Sequence, residues 1–258
     1  MYLRQIRSRE ASYGYSNKNH CYLLLAFVLQ VKTWATITET NFAACIATTG
    51  YGGASSCSNS GNMTANLTIT GGRGALLVVD LGSNISVSSI TGGGTWTHGC
   101  GLYTQGESID VWYNTNTTSA SSINIAPSLS GNGIGWGYFE FSPDAGYTFS
   151  LDQCSGNAGT YSGTSLSGVN LGTLAGTDAI LQGAYSHSSI TAVTSGWTAL
   201  GTSGQNFAFA YKITNSGSAP TWTTTTATNA NYVVAAIAMK ETSVSSALHL
   251  LNLLGVGQ

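Results

Sequence analysis

The sequence predicts an all-β protein built as a single antiparallel β-sandwich of the jelly-roll type. Short runs rich in Val, Ile, Thr and aromatic residues recur along the chain, with Gly, Ser and Asn between them. Strong helix formers such as Glu, Lys and Arg are scarce, because only 7% of residues are charged. The chain nevertheless contains 42% hydrophobic residues, which is enough for a sizeable core.

The clearest predicted strands either alternate between two faces or are apolar throughout. In SIDVWYN, Ile109, Val111 and Tyr113 share one face, and Asp110 and Trp112 share the other. FAFAYKI alternates in the same way, whereas YVVAAIAMK is small and apolar on both faces, as a central strand would be. The predicted strands are 64–70, 75–81, 85–91, 109–114, 122–126, 135–141, 179–185, 197–200, 207–213, 221–225 and 232–240.

Residues 1–35 are predicted to be a secretory signal peptide or an N-terminal anchor. Basic residues precede the apolar run CYLLLAFVLQV, which is too short to cross a bilayer as a helix, and Ala35 follows as a small residue suited to cleavage. A buried first helix or strand is the alternative. The sandwich is expected over 36–241, where no segment has membrane-spanning length, and a short Leu-rich tail over 242–258.

The cysteines point to an oxidising compartment. Beyond Cys21 the chain has Cys45, Cys57, Cys100 and Cys154, and an even number in an exported chain suggests two disulfides. Four cysteines allow three connectivities. We favour Cys45–Cys57, which closes a short Gly/Ser-rich loop, together with Cys100–Cys154 as a long-range link. We therefore expect a secreted protein, either extracellular or on a cell surface.

The charges argue against nucleic acid as a partner. From Ala35 onward the chain has 3 basic and 9 acidic residues, a balance of about −6, and no basic face to meet phosphates. No cofactor is expected. His98 and His187 stand alone, without the paired spacing of a transition-metal site. A structural calcium ion held by Asp144, Asp152 and Asn157 is a weaker alternative.

Several segments also carry a family resemblance. They are SIDVWYNTNTT, WGYFEFSPD, TDAILQGAYS, GWTALGTSGQNFAFAYKITNSGSAPTWT and ANYVVAAIAMKE, in this order. Together they resemble a broad group of uncharacterised secreted β-sandwich proteins from bacterial genomes and metagenomes, over roughly residues 64–241. The resemblance implies a jelly-roll-like sandwich and an extracellular location. It implies no established activity, and it supplies no catalytic residues.

Three carboxylates are candidates for catalysis. Glycoside hydrolysis usually needs two carboxyl groups that face one sugar cleft, and Glu107, Asp110 and Glu140 lie in or beside aromatic strands. A glycoside hydrolase or lyase is therefore one possible function. The alternative is that these are structural carboxylates, hydrogen-bonded to turn amides.

Aromatic side chains are the candidates for ligand binding. Trp96, Tyr103, Trp136 and Tyr138 lie in or beside uncharged Gly/Ser/Thr-rich stretches, and sugar rings stack on exposed aromatic rings. Trp96 and Tyr103 are expected to be exposed on loops, whereas Trp136 is better suited to the core. We therefore expect a non-catalytic protein that binds polysaccharide, cell-surface glycans or other cell-surface material. The alternative is a homo-oligomeric or polymeric subunit of a filament, sheath or capsid-like assembly.

Overall fold

The structure is a computed structural model that describes most of the predicted sandwich. It describes residues 36–46, 49–52, 62–81, 84–104, 106–129, 134–202 and 205–244. Residues 1–35, Cys57 and most of the Leu-rich tail lie outside the described residues, and so do the predictions made for them. All described residues belong to one compact unit, and they form strands and turns without any helix. Among them, accordingly, no helix offers the length and apolarity that a membrane crossing requires.

Within the described ranges, fourteen strands form three antiparallel sheets, which confirms the predicted all-β sandwich. The strands are β1 (Thr38–Ile46), β2 (Thr49–Gly52), β3 (Met63–Ile69), β4 (Gly74–Leu81), β5 (Val87–Thr91), β6 (Thr97–Thr104), β7 (Glu107–Asn114), β8 (Ala120–Pro127), β9 (Ile134–Ser142), β10 (Tyr147–Ser167), β11 (Gly172–Val193), β12 (Thr198–Ala199), β13 (Gln205–Gly217) and β14 (Thr221–Ser243). The six-stranded sheet has the order β2-β1-β9-β4-β7-β6, the five-stranded sheet β10-β14-β11-β13-β12, and the three-stranded sheet β3-β8-β5.

The six-stranded sheet forms the middle layer. Its central strand β4, with the sequence GALLVVDL, is buried at every position, as expected for a strand covered on both faces. Leu76 and Val78 belong to the core shared with the five-stranded sheet, whereas Leu77 and Val79 belong to the core shared with the three-stranded sheet. We call these the inner and outer faces of the six-stranded sheet.

The inner core follows the predicted alternation. Phe209 and Tyr211 pack into it from β13, and Ile109 and Val111 pack into it from β7. The segment YVVAAIAMK lies within β14, which pairs with β10 on one side and β11 on the other. Its prediction as a central strand is therefore confirmed.

The five-stranded sheet also buries part of its other face, because the chain turns back over it. The side-chain amide of Gln182, a buried residue of β11, donates to the Val169 carbonyl at 2.7 Å and accepts from the Val169 N–H at 3.0 Å. Leu166, Leu171 and Trp222 are buried in the small core that results. Both backbone polar groups of Val169, which lies between β10 and β11, are thus fixed to the sheet below by one side chain.

Four strands were not predicted, and two predicted strands prove to be one. Strands β2, β6 and most of β10 are interrupted by Gly and other residues of weak β-propensity, which hides a strand in the sequence. Strand β1, with the sequence TETNFAACI, lacks a regular alternation of apolar and polar residues. The predicted strands at 221–225 and 232–240 join as β14. Asn229, at φ 51, provides a left-handed residue between them, a conformation that Asn tolerates well.

The predicted long-range disulfide is present. Cys100 of β6 and Cys154 of β10 are bonded, and the bond links the edge of the six-stranded sheet to the edge of the five-stranded sheet. Cys45 is also disulfide-bonded. Its predicted partner, Cys57, lies outside the described residues.

An acidic pair on the far face of the five-stranded sheet makes stability depend on pH. Burial, and then the negative charge of Asp152, raise the pKa of the Asp178 carboxyl to about 8, although Lys240 opposes the shift. Asp152 itself accepts from Lys240 Nζ at 2.8 Å. Because folded Asp178 holds a proton that the unfolded chain releases near its ordinary pKa of 3.8, stability falls as the pH rises from that value through about 8.

We therefore expect Asp178→Asn to flatten this part of the stability profile. The amide stays neutral at every pH and is close to the carboxylic acid in size. Urea unfolding between pH 5 and pH 9 should show a stability advantage over the unmodified protein that grows with pH. Asp144→Asn is the control for losing one acidic group elsewhere. Parallel profiles for Asp178→Asn and the unmodified protein would count against the assignment.

Candidate functional site

Glu140, one of the three predicted catalytic carboxylates, is a structural residue of the outer face. It is fully buried on β9 and accepts from the Tyr138 hydroxyl at 2.6 Å, the Thr70 N–H at 3.0 Å and the Thr40 hydroxyl at 3.1 Å. These three donors satisfy the buried carboxylate of Glu140, which has no exposed surface. The structure places Glu140 where the alternative interpretation expected it, hydrogen-bonded to a turn amide.

Asp110 is also fully buried on the outer face, on β7. Its Oδ2 accepts from the Val87 N–H at 2.5 Å, and its Oδ1 lies 3.0 Å from His98 Nε2 and accepts from the Tyr103 hydroxyl at 2.5 Å. Asp110 therefore ties three pieces of chain together: the start of β5 and two side chains of the edge strand β6.

The three predicted catalytic carboxylates do not converge: Asp110 and Glu140 lie on the outer face of the sheet and Glu107 lies on the inner face. Asp110 pairs with Val79 and Glu140 with Ala75, which places the two Cα atoms about 16 Å apart across the sheet. Glu107 has the parity of Ile109 and Val111 and therefore lies on the inner face. Because side chains alternate along β7, Glu107 and Asp110, which are three residues apart, lie on opposite faces of the sheet.

Three of the four predicted ligand-binding aromatics are in the core, and this corrects the prediction. Trp136 and Tyr138 are fully buried, and Trp96 is only 8% exposed. The Trp96 ring packs against Tyr138 at 6.4 Å, and its Nε1 donates to the Gly92 carbonyl at 2.9 Å. A loop tryptophan is thus drawn into the core, because its large apolar area gains more from burial than from exposure.

Tyr103 is the predicted aromatic that does lie at the surface, at 41% exposed. Its ring crosses the strand over Gly101. A Cβ built on Gly101 would lie 2.8 Å from Tyr103 Cζ, so the ring rests against bare backbone. Because the hydroxyl is held by buried Asp110, the far end of the ring is anchored and the ring lies against the strand.

His98 extends this surface on the other side of Asp110. The His98 side chain is 42% exposed, and its ring makes an edge contact with Trp112, at 5.2 Å between centroids. Strand β6 is the last strand of its sheet. We call the exposed rings of His98 and Tyr103, with Gly101 and the buried Asp110 beneath them, the β6 platform.

The electrostatics keep the platform fixed. Partial burial, together with the hydrogen bond to Asp110 and the charge of Asp110, raises the pKa of the Tyr103 hydroxyl above its usual range. The phenol therefore remains a donor at all physiological pH values. A ring fixed in this way loses little conformational entropy when a ligand stacks on it.

The platform offers hydrogen-bonding and apolar contacts rather than metal ligands. No three His, Cys, Asp or Glu side chains within the described ranges are grouped so as to hold a metal ion. Of the predicted calcium ligands, Asp152 is paired with Lys240, and Asp144 accepts from the Thr36 N–H at 2.6 Å. A separate surface cavity of about 350 Å³ is lined by Gly72, Thr115, Asn116, Pro143, Tyr147, Thr148 and Phe149.

Comparison with known proteins adds no family or relative. Neither the family models, nor the curated proteins, nor the solved structures include a match to this chain. The evidence for function is therefore the geometry of the platform and the chemistry of its side chains.

Gly101 and His98 are the parts of the platform that are absent from the predicted site residues, and Gly101 is the one that shapes it. Gly101 pairs with Asp110, and Tyr103 pairs with Ser108, around the turn at Gly106. The sequence does carry a signal for this arrangement. A short turn near Gly106 would pair Gly101 with Asp110 and place Tyr103 diagonally across from Asp110. The signal is hidden because GCGLYT does not look like a strand.

We expect Gly101→Ala to dismantle the platform. The new Cβ would meet both Asp110 Oδ1 and the Tyr103 hydroxyl oxygen at less than normal contact distance, so the phenol must leave the carboxylate. The cost is about 1–3 kcal/mol of stability, measured by urea unfolding. Gly176→Ala is the matched control, because a Cβ there has nothing within 4 Å. Equal stability of the two variants would contradict this geometry.

Proposed function

We propose that the protein is a secreted, non-catalytic glycan-binding protein that stacks a sugar ring on Tyr103. The observation that carries the proposal is the flat exposed ring of Tyr103, supported by Gly101 and fixed through its hydroxyl to Asp110. A pyranose presents an apolar C–H face and polar edges. An aromatic surface with a polar neighbour such as His98 suits both parts.

The surroundings favour a neutral sugar. The carboxylate beneath the platform is negative, and the described residues contain three basic side chains, Arg73, Lys212 and Lys240. Lys240 is paired with Asp152, and Lys212 lies over the Trp197 ring at 6.0 Å. An acidic sugar would therefore meet repulsion without compensation.

Secretion is supported by one disulfide among the described residues and by the signal-like N-terminus of the sequence. The Cys100–Cys154 bond joins two sheets, as disulfides do in proteins of oxidising compartments. The alternative of a self-assembling extracellular subunit stays a prediction.

The proposal is tested by pull-down on a panel of insoluble polysaccharides, followed by affinity measurement on soluble fragments of whichever is bound. We expect Tyr103→Ala to weaken binding about tenfold or more, the loss of one stacking contact of ~1.4 kcal/mol. Tyr147→Ala, which removes an aromatic ring from the separate cavity, should bind as the unmodified protein does. Absence of binding across a broad panel, or equal binding by Tyr103→Ala, would overturn the proposal.

A further inference from the structure

The surface cavity of about 350 Å³ lies where three turns meet the start of β10. The turns are β3–β4, β7–β8 and β9–β10, and they contribute Gly72, Thr115, Asn116 and Pro143. The first three residues of β10, 147–149, complete the wall. The Gly72 N–H donates to the Thr117 carbonyl at 2.8 Å, so two of the three turns are fixed to each other. The cavity is therefore built into the fold.

The cavity combines an apolar floor with an uncharged rim. Phe149, its most buried lining residue, is 5% exposed, and the Phe149 ring packs against that of Phe141 at 4.7 Å between centroids. The half-buried side chains of Pro143 and Tyr147 add further apolar surface. None of the seven described residues that line the cavity carries a charge, and those at the rim are Gly, Thr and Asn. This lining suits an uncharged, largely apolar group.

Strand β14 brings the C-terminal part of the chain to this cavity. Its last residue, Ser243, pairs with Tyr147, and the Val244 N–H donates to the Gly146 carbonyl at 2.9 Å. Paired strands lie about 5 Å apart. The described part of the chain therefore ends beside Tyr147, the first residue of β10 in the cavity wall.

The sequence that follows Val244 matches the cavity in chemistry. Residues 245–258, SSALHLLNLLGVGQ, contain five leucines and no Asp, Glu, Lys or Arg. Leucines clustered in this way are unfavourable in water, and soluble proteins usually cover such patches. Leu248 is four residues beyond Val244, and four extended residues span up to about 14 Å, so the leucines begin within reach of the cavity.

We propose that the Leu-rich segment 248–254 of the same chain docks in this cavity and covers Pro143, Tyr147 and Phe149. The volume of about 350 Å³ falls at the lower end of the range of small-molecule sites, roughly 300–1,000 Å³, so it accommodates more than one leucine side chain. A segment on a short tether is present at an effective concentration on the order of mM, which favours it over a second copy or a free ligand. The cavity shares no residue with the β6 platform, so this inference stands apart from glycan binding.

Photochemical cross-linking of the full chain tests the proposal. The photoreactive residue benzoylphenylalanine replaces Thr148, an exposed residue of the cavity wall. In the matched control it replaces Thr225, an exposed residue of β14 about 60 Å from the end of that strand, beyond the ~50 Å that 14 extended residues can span. After irradiation at low protein concentration, we expect a monomer-sized product that joins position 148 to a peptide from 245–258, and no such product from position 225.

Two double variants of the tail separate docking from mere proximity, and both leave the sandwich itself unchanged. Leu250→Asn with Leu251→Asn should lower the yield of the cross-linked product at least about threefold, because the burial of two leucine side chains is lost. His249→Ser with Asn252→Ser changes two polar residues of the same segment and should leave the yield unchanged. Equal yields from the two double variants, absence of the product, or a dimer-sized product that carries the tail of another copy would overturn the proposal.

Discussion

Replacing Glu140 with alanine is expected to lower the free energy of unfolding by about 2–6 kcal/mol, among the largest effects available in this protein, because each buried donor left without an acceptor costs about 1–3 kcal/mol. The substitution removes the acceptor from three donors at once. The Tyr138 hydroxyl and the Thr70 N–H would then be left without a partner inside a closed interface between two sheets. Urea unfolding monitored by tryptophan fluorescence measures the loss.

Two companion variants separate this network from simple truncation. Glu140→Gln keeps one acceptor oxygen for Tyr138 and Thr70, and its NH₂ can donate to the Thr40 hydroxyl, so we expect a smaller loss. Glu140→Ala combined with Tyr138→Phe should cost less than the sum of the single changes, because each removes the same hydrogen bond. Strict additivity, or a loss no larger than that of Glu39→Ala, would refute the structural role of Glu140.

Removing the disulfide is the second large effect. Cys100 and Cys154 are separated by 54 residues, and the loop-closure entropy that the bond removes from the unfolded chain corresponds to about 4 kcal/mol. Both cysteines also border the inner core, so the bond and the packing support the same sheet-to-sheet contact. We expect the Cys100→Ala, Cys154→Ala double variant to unfold at much lower urea concentration.

The double variant is preferable to chemical reduction, because a reductant also breaks the bond that Cys45 makes. The slope of the unfolding transition should stay near that of the unmodified protein if the loss reflects the folded state, and should increase if the unfolded chain expands. A double variant as stable as the unmodified protein would show that packing alone joins the two sheets.

The sequence predicted the central strands of this fold better than the strands at the sheet edges. Alternation in SIDVWYN and FAFAYKI identified the correct faces, and the apolar run 232–240 identified a central strand. Edge strand β6 and the long strand β10 were missed because their residues, rich in Gly and Ser, make strands only when a partner supplies the hydrogen bonds. Pairing with a distant segment is not visible in local propensity.

The site residues show the same division. Tyr103 and Asp110 were both predicted, but in different roles, as a sugar-binding ring and as a catalytic acid. The hydrogen bond between them depends on the register of the β6–β7 hairpin. Because β6 was not predicted as a strand, this register could not be predicted either.

The most direct test of glycan binding at the β6 platform is an NMR titration with a soluble fragment of the polysaccharide bound in pull-down. If the account is right, nuclear Overhauser contacts will join the sugar C–H protons to the Tyr103 ring, and the ring protons of His98 will shift in the same titration. Contacts to Tyr147 and Phe149 in the separate cavity, with Tyr103 and His98 unperturbed, would contradict it.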